Sequence, residues 1–148
     1  MGKLISLLLA LLCLGGCTGG TLSQPPQTQS QEEKVLKITV GEYAFWADLE
    51  DNSSAEAFAA LLEKGPVTIS MADYGGFEKV GALGTTLPRN DQRITTQPGD
   101  VILYGGNQIT IYYAPNTWSF TRLAKIRNPE GLQEKLGEGT VTVTFSLS

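Results

Sequence analysis

The chain has 148 residues, of which 41% are hydrophobic and 8% aromatic, which suffices for one compact domain with a real core but not for two. It contains no histidine, so the commonest general base, the commonest metal ligand and any Ser-His or Cys-His nucleophilic arrangement are excluded. The formal net charge of −4, without a cluster of Lys or Arg, argues against a nucleic-acid partner.

The N-terminus is predicted to be a targeting segment. Lys3 is followed by an apolar run over 4–14 and then by small residues, an order typical of a secretory signal peptide. Leu14-Gly15-Gly16-Cys17 resembles the bacterial lipobox, in which the cysteine at the cleavage point carries diacylglycerol. That resemblance implies a lipid on Cys17 that anchors the protein to the outer face of a bacterial membrane. The alternative, an ordinary signal peptide with an incidental cysteine, is disfavoured because no cysteine follows Cys17 in the chain.

Residues 17–33 contain mainly Gly, Ser, Thr, Gln and Pro, a composition that predicts a flexible tether. Such a segment buries too little apolar surface to offset the entropy lost on ordering. We therefore expect a signal peptide over 1–16, a tether over 17–33 and a folded domain over 34–148. With Cys17 lipidated and Cys13 removed, no disulfide is expected.

A helix is predicted over Ser53 to Lys64. Ser53 and Glu56 have the spacing of a capping box, and Gly65-Pro66 ends the helix. An apolar stripe at helical spacing predicts the buried face. Its members are Ala55, Phe58, Ala59 and Leu62.

Alternating apolar and polar residues predict short strands, separated by turns such as Gly105-Gly106-Asn107. The predicted strands are 35–40, 42–49, 67–73, 78–83, 101–104, 108–113, 117–126 and 140–147. The polar segment 84–97 is predicted to be irregular, and a second short helix is predicted to start at Asn128-Pro129 and end at Gly137. We predict a mainly β fold, a closed eight-stranded barrel with two short helices, with a β-sandwich as the alternative.

Several fragments along residues 34–148 resemble, in their order and spacing, the small bacterial cyclophilin-like domains. The principal ones are Gly65-Pro66-Val67-Thr68-Ile69, Asp73-Tyr74-Gly75-Gly76, Pro98-Gly99-Asp100-Val101, Ile111-Tyr112-Tyr113 and Arg122-Leu123-Ala124-Lys125-Ile126. The resemblance implies an eight-stranded cyclophilin-type barrel, a fold that in this group sometimes lacks enzyme activity.

The catalytic pattern of cyclophilin isomerases is not matched. Those enzymes lower a barrier of ~18–20 kcal/mol by holding proline in an apolar pocket while an arginine donates to the imide nitrogen. Their Phe-Met-x-Gln run is missing, since Met71 is followed by Ala72-Asp73, and no histidine is present. No catalytic residue is therefore assigned. We expect a module that binds a peptide or small ligand, and the alternative is a divergent peptidyl-prolyl isomerase acting on exported proteins.

Five residues are candidates for ligand binding. In the strand 117–126, Arg122 has the parity of Phe120 and Ala124, which predicts an arginine on an otherwise apolar face. Its structural alternative is an ion pair with a carboxylate such as Asp73 or Glu78. The other candidates are Tyr104, Asn107, Tyr112 and Trp118.

For these four residues too, a structural role is the alternative. Cross-strand packing would account for the tyrosines, a turn for Asn107 and a place in the core for Trp118. Neither a metal nor a cofactor is expected. The acids Asp48, Glu50 and Asp51 lack the spacing of a calcium loop, and no Gly-rich segment lies between a strand and a helix as phosphate binding requires.

Overall fold

The computed structural model describes residues 34–148 of the chain. Within that range its elements are β1 (Val35–Val40), β2 (Tyr43–Leu49), α1 (Ser53–Glu63), β3 (Val67–Tyr74), β4 (Glu78–Ala82), β5 (Gln92–Thr95), β6 (Asp100–Tyr104), β7 (Gln108–Tyr112), β8 (Thr117–Ile126), α2 (Leu132–Leu136) and β9 (Val141–Leu147). The predicted signal peptide, the lipidated Cys17 and the tether lie outside the described residues. No helix among residues 34–148 is long and apolar enough to cross a membrane.

Eight of the strands close into an antiparallel barrel in the order β2-β1-β9-β3-β4-β7-β6-β8, and β8 pairs with β2 to complete the circle. The predicted mainly β, closed eight-stranded barrel with two short helices is confirmed, and the β-sandwich alternative is not adopted. Closure satisfies the backbone hydrogen bonds that the edges of an open sheet would leave unpaired.

The ninth strand, β5, pairs with the first half of β8, from Gln92 opposite Phe120 to Thr95 opposite Thr117. The prediction that residues 84–97 are irregular throughout is therefore wrong. The four residues of β5 are mostly exposed, so they carry no alternating apolar pattern by which a strand is recognised.

The barrel interior is filled by the side chains that the alternation predicts. Ile38 of β1, Met71 of β3 and Phe145 of β9 are all fully buried. Phe58 of α1 belongs to the same core, and its ring meets that of Phe145 edge to face at 5.9 Å between centroids. The predicted apolar stripe of α1 is thus confirmed as its buried face.

The N-terminus of α1 is capped by Asn52, whose side chain accepts a hydrogen bond from the Ala55 N–H at 2.8 Å. Ser53 is the first residue of the helix, so the predicted Ser53 capping box is wrong. An amide cap donates as well as accepts. Asn52 also donates to the carbonyl oxygen of Arg122 at 2.9 Å, which ties α1 to β8.

The second helix begins later than predicted, at Leu132, and its C-cap is Gly137, the residue predicted to end it. Its N-terminal flank is Gly131, whose φ of 68° is left-handed and cannot belong to the helix. Asn128 instead accepts a hydrogen bond from the Glu130 N–H at 3.3 Å.

A β-bulge in β8 divides that strand into two parts. Val101 of β6 pairs with Ala124, but the next residue, Ile102, pairs with Arg122, so Leu123 is the extra residue on β8. One extra residue exchanges the two faces of a strand. Ala124 belongs to the barrel core, whereas Arg122 shares the outer face with Ile102. The prediction that residues 118–126 keep one parity throughout is therefore wrong.

Candidate functional site

A second apolar cluster lies on the outer surface of the barrel. Val101 and Leu103 point into the barrel core, so Ile102 between them points outward. There it forms a separate cluster with Tyr112 of β7 and Phe120 of β8. Two partly buried side chains pack against this cluster, Phe77 and Ile94.

Two members of the outer cluster, Tyr112 and Phe120, line a cleft of about 440 Å³. Its lining residues are Tyr74, Phe77, Glu78, Val80, Tyr104, Gln108, Tyr112, Asn116, Trp118 and Phe120. We call it the outer cleft.

Five of these aromatic rings form a continuous row in which each contacts the next. Phe77 stacks on Tyr112 with 6.0 Å between centroids and an interplanar angle of 4°. Tyr112 meets Phe120 at 5.5 Å, and Phe120 meets Tyr104 edge to face at 6.2 Å. Tyr74 extends the row beyond Phe77 at 6.1 Å. Tyr74 is 63% exposed, so the ring at this end of the row is open to a ligand.

A carboxylate is buried among these rings. Glu78, the first residue of β4, faces Tyr112 across the β4–β7 pair and is only 7% exposed. Its Oε2 atom is buried and has no hydrogen-bond partner among the described residues. Burial raises the pKa of Glu78, and the hydrogen bond with Tyr112 opposes that shift.

Tyr112 connects the carboxylate to the polar wall of the cleft. Burial raises the pKa of its hydroxyl, a hydrogen bond with Glu78 raises it further, and one with Asn116 acts in the opposite direction. The outer cleft thus combines aromatic faces, one carboxylate and the neutral polar side chains of Gln108 and Asn116. Such a lining suits binding, with polar groups that fix the orientation of a ligand in an apolar site.

Three of the five predicted ligand-binding residues line the outer cleft, namely Tyr104, Tyr112 and Trp118. Trp118 is 55% exposed, so it does not lie in the barrel core, which was its predicted alternative position. Asn107 is exposed in the β6–β7 hairpin, where its N–H donates to the carbonyl oxygen of Tyr104 at 3.4 Å and its own carbonyl accepts from the Leu83 N–H at 2.9 Å.

Arg122 lies on the outer face but does not line the outer cleft. Its Nη2 donates to Oδ2 of Asp100 at 3.2 Å, so its ion-pair partner is Asp100 rather than the predicted Asp73 or Glu78. Asp100 is fully buried and also accepts from the Gln97 N–H at 2.9 Å. The guanidinium is therefore held by a carboxylate of the fold.

Most of the lining residues carry no sequence pattern that marks a binding site. Glu78 and Phe120 were not among the predicted ligand-binding residues, yet both line the cleft. A usable signal was present, because the inward Ile109 and Ile111 imply that Gln108 and Tyr112 face outward. The remaining lining residues not predicted are Tyr74, Phe77, Val80 and Asn116.

No metal centre is formed by the described part of the chain, since no three of its Asp, Glu or Cys side chains are grouped to hold an ion.

The fold and the cleft define a class of protein, a closed antiparallel barrel with an aromatic cleft on its outer surface. Residues 38–146 match the Cyclophilin-like family, and the chain belongs to that family. The predicted cyclophilin-like domain is thereby confirmed.

A comparison with solved structures supports the same fold. The solution structure of a hypothetical protein from Archaeoglobus fulgidus is similar to this chain with a TM-score of 0.59 and 16% sequence identity, over 78% of this chain and 95% of that one. A likeness at this identity extends to the fold alone. The comparison with curated proteins returned no match.

Proposed function

We propose that this protein is a lipoprotein of the cell envelope that displays its cyclophilin-like barrel on the outer face of a membrane and binds a peptide or small ligand without turnover. The ligand occupies the outer cleft. The observation that carries the proposal is the unpartnered carboxylate oxygen of Glu78 at a cleft that is also lined by exposed aromatic side chains, because a buried acceptor without a partner costs free energy that a ligand would recover.

The composition of the cleft favours binding over catalysis. Its lining, taken from the described residues, includes no arginine to donate to a proline imide nitrogen. Arg122 is engaged by the buried Asp100. The lining also includes no Ser, Thr, Cys or Lys that would serve as a nucleophile. A divergent prolyl isomerase is the second candidate, favoured by the aromatic lining, which is apolar enough to hold a proline ring.

Membrane attachment rests on the sequence. The lipobox-like Leu14-Gly15-Gly16-Cys17 supports a diacylglyceryl anchor, and two acyl chains at ~0.8 kcal/mol per buried CH₂ hold a protein firmly on a bilayer. Mass spectrometry of the protein from a bacterial membrane fraction tests this part. A lipid on Cys17, lost in Cys17→Ser together with membrane association, is expected, and an unmodified Cys17 would overturn it.

NMR of the full-length protein with a panel of proline-containing peptides tests the binding function. The chain has two tryptophans, Trp118 in the outer cleft and Trp46 on β2, so the two indole signals separate a cleft ligand from nonspecific contact. Trp118→Phe and Trp46→Phe assign those signals and form a matched pair of variants.

We expect the Trp118 signal to shift while the Trp46 signal stays in place. Uncatalysed cis/trans exchange takes tens of seconds or longer, so catalysis would add exchange peaks between the two isomers of the peptide. Shifts without such peaks support a binding module. Exchange peaks would establish the isomerase, and no shift with any peptide or small ligand tested would refute binding in this cleft.

A further inference from the structure

We infer that the outer cleft is selective for organic cations and binds a primary alkylammonium group between the Glu78 carboxylate and the aromatic row. This inference rests on the proposed function, since it names the ligand class of that same site. A lysine side chain of a peptide and a free alkylamine present the same chemistry.

The first argument is the unbalanced charge of Glu78. A carboxylate that is nine-tenths buried is normally paired with a cation or fully hydrogen-bonded. Glu78 has neither arrangement, because its Oε2 is without a partner and the described lining residues include no Lys or Arg. An ammonium group beside the Glu78 carboxylate would supply the missing positive charge and hydrogen-bond donors.

Two basic residues of the barrel strands, Lys79 and Arg122, are paired with other carboxylates. Lys79, the neighbour of Glu78 on β4, points to the opposite face, where it is fully buried. Its ammonium pairs with Asp73 at 2.8 Å and donates to the carbonyl of Gly139. Arg122 is held by Asp100. The protein thus supplies a carboxylate partner for Lys79 and for Arg122, while Oε2 of Glu78 has no partner among the described residues.

The second argument is the aromatic row. A cation within about 6 Å of a ring centroid is attracted to the ring face, and the attraction grows when the site excludes water. The rings open to a ligand are those of Tyr74, Tyr104 and Trp118, which line the cleft and are 63%, 43% and 55% exposed. An anionic ligand would be repelled by both the rings and Glu78.

The third argument selects a primary ammonium over a quaternary one. Oε2 of Glu78 has no hydrogen-bond donor among the described residues, and a primary ammonium carries N–H donors whereas a quaternary ammonium carries none. The alkyl stem of such a ligand is apolar and packs along rings such as Trp118, whose exposed surface lies on the cleft wall.

Isothermal titration of the full-length protein tests the inference with three probes. They are a capped lysine peptide, the same peptide with the lysine acetylated, and n-butylammonium chloride. Acetylation removes the charge but keeps the stem. We expect the lysine peptide to bind at least tenfold more tightly than the acetylated one, and the Trp118 indole signal to report the binding.

Glu78→Gln keeps the size of the side chain and removes its charge, and Glu130→Gln, at an exposed position outside the cleft, is the matched control. We expect Glu78→Gln to abolish the preference for the charged peptide, and Glu130→Gln to leave it unchanged. Comparison of the two wild-type peptides tests the inference even if Glu78→Gln does not fold.

The outcomes separate this inference from the proposed function. Equal binding of the charged and acetylated peptides at Trp118 would overturn cation selectivity and leave a ligand-binding cleft. No binding of any of the three probes would also overturn it, and the proposed function would then be decided by the proline-peptide panel. If n-butylammonium binds as tightly as the lysine peptide, the inference is supported and the ligand is a free amine. If only the lysine peptide binds, the inference is also supported and the ligand is a protein or peptide.

Discussion

Glu78 and Tyr112 face each other across the antiparallel β4–β7 pair, on the outer surface of the barrel. The register of two strands sets this relationship, so the carboxylate and the ring are held by the sheet rather than by a loop. Sites built on such elements keep their geometry better than sites on loops. The outer cleft is therefore preorganised around a carboxylate of which one oxygen has no hydrogen-bond partner among the described residues.

Removing the charge of Glu78 should stabilise the protein. We expect Glu78→Gln to raise the free energy of unfolding at pH 7 by about 1 kcal/mol, because an unpaired ionised carboxylate is costly to bury. The pKa of Glu78 is raised in the folded state, so its destabilising effect appears as the pH rises through that pKa and is absent below the pKa of the unfolded chain.

Urea unfolding of wild type, Glu78→Gln and Glu130→Gln at pH 7 and near pH 4 checks this expectation. The advantage of Glu78→Gln should shrink at the lower pH, where the wild-type carboxyl becomes protonated, and Glu130→Gln should match wild type. A Glu78→Gln protein that is less stable than wild type at pH 7 would contradict the cost assigned to this carboxylate.

Truncation of Arg122 should lower the stability of the fold more than it weakens ligand binding. Arg122→Ala leaves the fully buried Asp100 without its cation, and breaking such a pair costs about 3 kcal/mol or more. Arg127→Ala, at an exposed ion pair with Asp48, is the matched control and should cost no more than about 1 kcal/mol.

Thermal unfolding and peptide binding are measured on both variants. We expect Arg122→Ala to lower the melting temperature clearly and to keep binding at temperatures where it remains folded. Lost binding with an unchanged melting temperature would instead support the direct ligand contact predicted for Arg122 from the sequence.

The pKa of Tyr113 should be high because its hydroxyl is partly buried and hydrogen-bonded to Asp73. Its hydroxyl donates to Oδ1 of Asp73 at 3.0 Å, and burial followed by this hydrogen bond raises the pKa of Tyr113 to about 12. Because the pKa of Tyr113 is raised on folding, the hydroxyl's contribution to folding stability is complete below the ordinary tyrosine pKa of about 10. That contribution is lost as the pH rises through the pKa of Tyr113 in the folded protein.

The near-ultraviolet absorbance of tyrosinate follows this titration, and Tyr113→Phe identifies the component that belongs to it. We expect Asp73→Asn to move the midpoint of that component down toward 10. An unmoved midpoint would show that Asp73 has no influence on the hydroxyl.

The glycine at position 81 is required by the close approach of β3. A Cβ on Gly81 would lie 2.6 Å from both Cγ2 of Ile69 and the backbone oxygen of Ser70. Contact with backbone cannot be relieved by a rotamer change, so we expect Gly81→Ala to cost about 1–3 kcal/mol, the range for overpacked sites. Chemical denaturation measures the loss, and a variant as stable as wild type would show that β3 moves freely.

The local pattern of the sequence was sufficient for the elements. Alternation with a period of two located eight strands, and the stripe of Phe58 and Leu62 located α1 and its buried face. These signals are reliable because the backbone geometry of a strand or helix decides which side chains share a face. The signal is weakest where a strand is short and exposed, and β5 was missed for that reason.

The outer cleft could not be predicted from the sequence, because it is formed by pairings between strands that no local sequence pattern contains. The bulge at Leu123 exchanges the faces of β8, and only the pairing of β6 with β8 reveals it. Likewise, the local sequence around a glutamate at the start of a strand predicts a solvent-exposed charge. Glu78 is buried because Tyr112, 34 positions away, stands opposite it in the register.

By itself, therefore, the sequence determined the kind of fold, the positions of α1 and of eight strands, and a predicted lipid anchor at Cys17. The tertiary structure alone decided which faces meet, that Arg122 is paired with Asp100, and that one carboxylate is enclosed by aromatic rings. The physical reason is that burial and pairing are properties of neighbours in space, and closing a barrel brings together strands that are distant in the chain.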